Sequence, residues 1–235
     1  NLPQQTLPVQ TCPPPAARAH GLRLTQLSAT GYDLLRACPY RFFALRMLRL
    51  RADEELDRST DKRDYGNWLH AVLKGFHEGC AAHEWPATEW AQRLDALADA
   101  CRHAGGLDEA EFLPFAAAWP QVRDAYLDWW IEHQRKHQVR FERAEAELSA
   151  PCGPVRLFGT LDRIDQGPSQ AAPDGAAQPL RWVLDYKTES ASVTRQRVAD
   201  PLEDTQMAFY AALLGDDTLR AAYVNVGEAD GTQLF

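Results

Sequence analysis

The residues best able to do chemistry fall in two stretches. The first is Gly159-Thr160-Leu161-Asp162-Arg163-Ile164-Asp165, and about twenty residues later comes Leu184-Asp185-Tyr186-Lys187-Thr188. Two spaced carboxylates on adjacent strands can hold a hard divalent cation, since Mg²⁺ takes oxygen ligands in an octahedron. Side chains alternate along a strand, so Asp185 and Lys187 project from one face. The Lys187 ammonium would then sit beside the cation, where it can orient or help deprotonate an attacking water and offset charge on a phosphate. Asp162, on the preceding strand, is the natural second carboxylate. Standing alone, Asp185 and Lys187 also fit a surface ion pair worth ~0–1 kcal/mol. Their place at the end of an apolar strand, behind an Asp-rich strand, weakens that alternative.

Hydrophobic periodicity outlines the elements that must position these groups. Residues 140–149 and 155–165 carry alternating or β-branched residues and flank the turn signal Pro151-Cys152-Gly153-Pro154. Residues 181–187 form a short strand, with Val183, Asp185 and Lys187 opposite Trp182, Leu184 and Tyr186. Residues 202–214 predict an amphipathic helix and 221–226 a final strand, while the Gly/Pro/Ala/Ser-rich residues 166–179 predict a loop. Upstream the period is helical. Ser28 is placed to cap a helix carrying Tyr32, Leu34 and Leu35. Pro39 breaks or restarts that helix, and Tyr40, Phe42, Phe43, Leu45 and Leu48 continue an apolar face, of which the aromatics Tyr40, Phe42 and Phe43 are expected to be core rather than base-stacking platforms. Residues 53–64 are charged and predict a loop; 65–78 predict a helix with Leu69, Val72, Leu73 and Phe76 in one stripe. Two further helices are expected over 88–103 and 115–137. The expected class is α/β (α+β), a mixed central sheet flanked by helices with a helical N-terminal half. Residues 1–20 are expected to be a linker or extended arm, and 21–235 one domain, helical over 21–138 with its sheet core over 139–235.

Composition bounds the function. The 235 residues are 45% hydrophobic and 25% charged, ordinary for a globular protein and unlike collagenous or wholly disordered chains. No apolar run approaches the ~20 residues that cross a bilayer, and the first residues lack the pattern of a secretory signal. The five cysteines contain no C-x-x-C pair and suggest neither a disulfide framework nor a zinc site, so a cytoplasmic home is expected. Starting at Asn and stopping just after a strand-like run, the chain is expected to be a domain of a longer polypeptide. The net charge of −8 argues against broad coating of nucleic acid. Residues 1–51, however, hold seven arginines against Asp33 alone. Such a strip fits a track for a polyanion, or simply a solvated helix face.

The pattern G-x-x-D-R-x-D, a loop, L-D-Y-K-T, then Asp204-Thr205-Gln206-Met207-Ala208-Phe209-Tyr210 resembles the PD-(D/E)XK nuclease superfamily. Within it, the similarity is greatest to RecB/AddB-like (RecB-family exonuclease) nuclease domains. It extends to Ala37-Cys38-Pro39-Tyr40-Arg41-Phe42-Phe43 and to Gly66-Asn67-Trp68-Leu69-His70. The resemblance implies a restriction-endonuclease-like core in which Asp162, Asp185, the Tyr186 carbonyl and His70 ligate one or two Mg²⁺ or Mn²⁺ ions. It implies Lys187 as the catalytic lysine and an assisting glutamate before Asp162, for which Glu145 fits slightly better than Glu147. Gln206 and Tyr210, one helical turn apart, match the motif shaping the DNA side of the site, although they also fit a helix packing face. Arg36 and Arg41 are candidates for phosphate contacts. Read without the resemblance, His70 would equally be a capping, surface or core histidine.

Two departures are visible. Leu161 stands where the superfamily name has proline, as in divergent members. Some AddB-like relatives hold an iron–sulfur cluster with the cysteine matching Cys38 and three more near the C-terminus, but no cysteine follows Cys152 here. A cluster is therefore not expected in this chain, and Cys38 is expected to be a small buried residue. The function implied is a metal-dependent (exo)deoxyribonuclease acting on single-stranded DNA or duplex ends. Its setting would be a larger recombination or repair protein, with a helicase domain or subunit as partner and no membrane. The alternatives are a catalytically inactive, nuclease-like DNA-binding or scaffolding module, and a nuclease active only when joined to its helicase.

Overall fold

The computed structural model describes residues 21–51, 62–171, 177–199, 204–216, 218–227 and 231–235. The expected arm over 1–20, most of the charged loop and the start of the expected last helix lie outside the described residues.

The helical half begins as its capping signals require. The Ser28 hydroxyl accepts the Gly31 N–H at 3.2 Å and opens α1 (Ala29–Ala37). Extended Cys38 ends it, and its sulfur accepts the Arg41 N–H as α2 (Pro39–Phe42) restarts with proline in its first turn. A π-helical turn, Phe43–Met47, follows. Cys38 is half-buried in this cap rather than buried, correcting its expected placement. Only part of the following apolar face is core: Phe42 is buried, but Tyr40 points to solvent at 75% exposure.

Next come α3 (Lys62–His83), α4 (Trp90–Ala104) and α5 (Glu109–His137). The expected stripe Leu69, Val72, Leu73 and Phe76 is fully buried. Helix α5 starts six residues before its expected position because Asp108 caps it, accepting the N–H groups of Ala110 and Glu111. It runs through Pro114 and Pro120 although each removes an intrahelical hydrogen bond. Burial of Phe112, Trp119, Val122, Tyr126 and Trp130 on the same helix outweighs that loss.

Six strands are described: β1 (Gln26–Leu27), β2 (Arg140–Cys152), β3 (Val155–Ala171), β4 (Ala177–Lys187), β5 (Arg220–Gly227) and β6 (Gly231–Leu234). They form a mixed sheet in the order β1-β3-β4-β5-β6, with β2 along the other edge of β3. Pairings β1/β3 and β4/β5 are parallel; β2/β3, β3/β4 and β5/β6 are antiparallel. The β2–β3 hairpin turns at Gly153, whose φ of 58° is one that glycine adopts without steric cost. Residues 166–171 and 177–179 are strand, not loop as their composition predicts, because cross-strand pairing continues from Ser169/Pro179 to Ala171/Ala177. A register shift between Gln166 and Ser169 absorbs Gly167-Pro168. Helices α6 (Ala191–Ala199) and α7 (Gln206–Leu214) connect β4 to β5. Neither α6 nor the short strands β1 and β6 were expected.

Alternation along β4 holds. Trp182, Leu184 and Tyr186 pack among α3, α4 and α5, whereas Val183 packs with Phe209, Tyr210 and Leu213 of α7. Asp185 and Lys187 therefore emerge on the α7 side.

Candidate active site

The site lies where β3 and β4 part. Their ladder ends at the pair Arg163/Leu184, and the next inward N–H on β4, that of Tyr186, donates to the Asp162 carboxylate at 2.8 Å. β4 meanwhile stays paired with β5 through Lys187/Asn225, so one strand is held rigidly while the other diverges. On β2, Glu145 has φ of 45°, a left-handed conformation unusual inside a strand and costing ~1–3 kcal/mol. Alternation along β3 also slips here, since Leu161 and Ile164, three apart, share one core cluster.

His70 of α3 closes this side. Its Nδ1 lies 3.5 Å from Asp162 Oδ2 and 3.9 Å from Glu145 Oε1, and its Nε2 lies 3.3 Å from the Tyr186 carbonyl oxygen. One donor atom each from His70, Glu145 and Asp162 lies within 4.8 Å of the others. Glu147, two residues on, is exposed, so of the two glutamates only Glu145 enters the cluster.

Asp185 forms the opposite wall at 2% exposure. Its Oδ1 accepts from Gln206 Nε2 at 2.6 Å and from the Tyr210 hydroxyl at 3.0 Å, while Oδ2 lies 2.6 Å from Lys187 Nζ. Lys187 also donates to Gln206 Oε1 at 3.1 Å and sits 5.0 Å from the centroid of the Tyr223 ring. Gln206 thus bridges the carboxylate and the ammonium, and the Tyr223 hydroxyl donates to Asp204 just before α7. Tyr223, Asp204 and the Arg197 that pairs with Asp204 and Glu189 were not singled out from the sequence. Only Asp204 carried a signal, as the first residue of a recognised motif.

Electrostatically the cluster suits a cation. Burial, then the charge of Asp185, pushes the Asp162 carboxyl well above the usual carboxylate range, with Glu145 adding to the push. Burial lowers His70, so its ring is neutral near pH 7 and has a lone pair to offer. Carboxylate and carbonyl oxygens with one imidazole are a donor set that could hold a divalent cation. The residues present therefore fit such an ion. Because Asp162 is raised in the native state, its ionisation destabilises the fold as pH climbs above the ordinary carboxylate range. Asp162→Asn keeps the acceptor for the Tyr186 N–H but removes the charge, so it should raise the melting temperature of chelator-treated protein at pH 7. Each ~1 kcal/mol of relieved burial cost and repulsion appears as roughly 2–4 °C in a chain of this length. Calorimetry showing a lower Tm would contradict this.

A family model described as the PD-(D/E)XK nuclease superfamily matches residues 26–233. The chain belongs to that superfamily. Its mixed sheet and helical N-terminal half conform to the restriction-endonuclease-like core. An uncharacterized protein of Rickettsia bellii (strain RML369-C) is 23% identical over 164 residues, which is 69% of this chain. The chain spans 18% of that relative's length.

Of the residues anticipated for a superfamily site, His70, Glu145 and Asp162 gather with the Tyr186 peptide. Asp185, Lys187, Gln206 and Tyr210 form a second hydrogen-bonded group whose charges act on Asp162 and His70, but Asp185 is not part of the three-residue cluster. Arg36 and Arg41 do not join them. Both are exposed, and among the described residues no hydrogen bond or ion pair connects either side chain to the carboxylates. The four described cysteines Cys38, Cys80, Cys101 and Cys152 are unpaired with one another. No helix among the described residues is long and apolar enough to cross a membrane.

Proposed function

We propose that this chain is a Mg²⁺- or Mn²⁺-dependent deoxyribonuclease that hydrolyses phosphodiester bonds, attacking single strands or duplex ends. The observation that carries the reading is the gathering of His70, Glu145 and Asp162, with the Asp185–Lys187 pair near enough for its charges to act on both His70 and Asp162. In this reading Asp162, Asp185, Glu145, His70 and the Tyr186 carbonyl hold one or two ions. Such an ion, when bound, activates water and neutralises charge developing on the phosphate. Lys187, held between Asp185 and Gln206, positions the attacking water and offsets phosphate charge. Gln206 and Tyr210 keep Asp185 oriented by donating to its Oδ1.

Support for a polyanionic substrate comes from the basic N-terminal strip. It borders a concave surface of about 920 Å³ lined by Arg23, Arg46, Arg49 and Arg51 among apolar neighbours, with no acidic side chain among the described residues of the lining. Arg36 and Arg41 add exposed cations on the adjoining helices, as contacts to phosphate. We further read the domain as the nuclease part of a larger cytoplasmic recombination or repair protein working with a helicase. The RecB-like spacing of its motifs supports this, as does its match to a small fraction of a long relative.

End-labelled single- and double-stranded DNA incubated with Mn²⁺ tests the activity. Shortening from labelled ends is expected, and intact DNA under all metal conditions would sink the proposal. Because the strip acts through charge, cleavage of long substrates should also weaken steeply between ~50 and 200 mM salt. A flat salt response would remove the strip from the account.

A further inference from the structure

Directly behind the site is a second polar cluster that the proposed chemistry does not use. Arg163, next to Asp162 on β3, is fully buried. Its Nε and Nη2 donate to the two carboxylate oxygens of Asp165, each at 2.7 Å. Its Nη1 reaches His77 Nε2 at 2.8 Å, the Tyr126 hydroxyl at 3.2 Å and the Tyr186 hydroxyl at 3.3 Å. The guanidinium carbon lies 3.9 Å from the centroid of the Trp130 ring. Tyr126 and Tyr186 share a further hydrogen bond at 2.9 Å. Stability is a poor reason for this arrangement, because a buried ion pair is commonly no better than an apolar replacement of equal volume.

Tyr186 connects the two clusters. Its hydroxyl belongs to the Arg163 cluster, whereas its peptide belongs to the site. The N–H holds Asp162 at 2.8 Å, the carbonyl lies 3.3 Å from His70 Nε2, and the ring meets the His70 ring edge-on at 5.8 Å. Sideways movement of the Tyr186 ring would therefore displace three of the groups that line the metal position. Arg163 and Tyr126 hydrogen-bond the far end of that ring, contacts that oppose such movement.

We propose that Arg163, braced by Asp165, His77 and Tyr126, is a positioning residue of the active site that acts through Tyr186 to set the geometry of Asp162, His70 and the Tyr186 carbonyl. This inference rests on the nuclease reading above. Groups behind metal ligands typically carry 10–100-fold in affinity or activity, although they touch neither metal nor substrate.

The decisive variant is Tyr186→Phe, which removes one hydroxyl and leaves ring and peptide in place. Mn²⁺ affinity is measured by calorimetric titration, DNA cleavage by kcat and KM separately, and folding by thermal melting. The expected result is a cooperative melt, Mn²⁺ affinity weakened ~10-fold or more, and kcat reduced with KM for DNA unchanged. Arg163→Met combined with Asp165→Leu, which leaves neither charge orphaned, should fold and show the same losses. Arg163→Lys, keeping charge without the fork, should not restore them. If the double variant fails to fold, Tyr186→Phe alone decides. Wild-type Mn²⁺ affinity and kcat in Tyr186→Phe would overturn this inference and leave the nuclease reading standing. A wild-type chain that binds no Mn²⁺ would overturn both.

Discussion

Asp185→Ala is expected to abolish DNA cleavage, with a loss of at least ~10³-fold. Metal-assisted stabilisation of a phosphoryl transition state is worth several kcal/mol, and each 1.36 kcal/mol is about tenfold in rate. Asp185 is also where the two halves of the site meet. It accepts from Gln206 and Tyr210, faces Lys187 at 2.6 Å, and its charge acts on Asp162 and His70. Alanine removes all of this but leaves α7 donors beside a polar gap, so Asp185→Asn is the cleaner companion. Asparagine keeps the volume and an acceptor for Gln206 or Tyr210. The expected outcome is a folded protein by circular dichroism with cleavage at background. A folded Asp185→Asn protein cutting at the wild-type rate would remove Asp185 from the chemistry.

Lys187→Met should give the second largest effect, a fall in kcat of about 10²–10³-fold, the range seen when one preorganised donor to a developing charge is lost. The methionine preserves the unbranched stem while deleting the ammonium that lies 5.0 Å from the Tyr223 ring centroid. Metal affinity should survive, because His70, Glu145 and Asp162 are untouched. That separation distinguishes a water-positioning lysine from one that merely holds Asp185 in place. Single-turnover cleavage with a parallel Mn²⁺ titration checks it, and loss of Mn²⁺ binding in Lys187→Met would point to the second role.

How much of this was legible beforehand depends on the range of the interaction. Ser28 as a cap, Pro39 as a break and the α3 stripe are local signals, and each is present in the structure. So is the shared face of Asp185 and Lys187, which strand alternation alone dictates. The loop expected over 166–179 failed because composition reports local preference, whereas a continuing ladder satisfies backbone groups regardless of Gly167 and Pro168. Helix α6 escaped notice because Ala191–Ala199 carries no apolar stripe; it is held by Thr194 to Asn225 and Arg197 to Glu189.

Within the site, the sequence favoured Glu145 over Glu147 only slightly, and only through the resemblance. They share parity on a strand, and only the left-handed backbone at Glu145 separates them. His70 was placed by resemblance, because nothing local in α3 reveals that it will dock over the end of β4. The Arg163 cluster was missed for the opposite reason. A charged residue is assumed to face water, and only the assembled partners from α3, α5 and β4 make its burial tolerable.

The central claim is that the chain's own carboxylates and lysine cut DNA with a divalent ion. Its most direct test is end-labelled DNA incubated with purified protein in Mn²⁺, with and without excess chelator. The account predicts degradation that chelator stops and added Mn²⁺ restores. Cutting that proceeds equally well in chelator would contradict it.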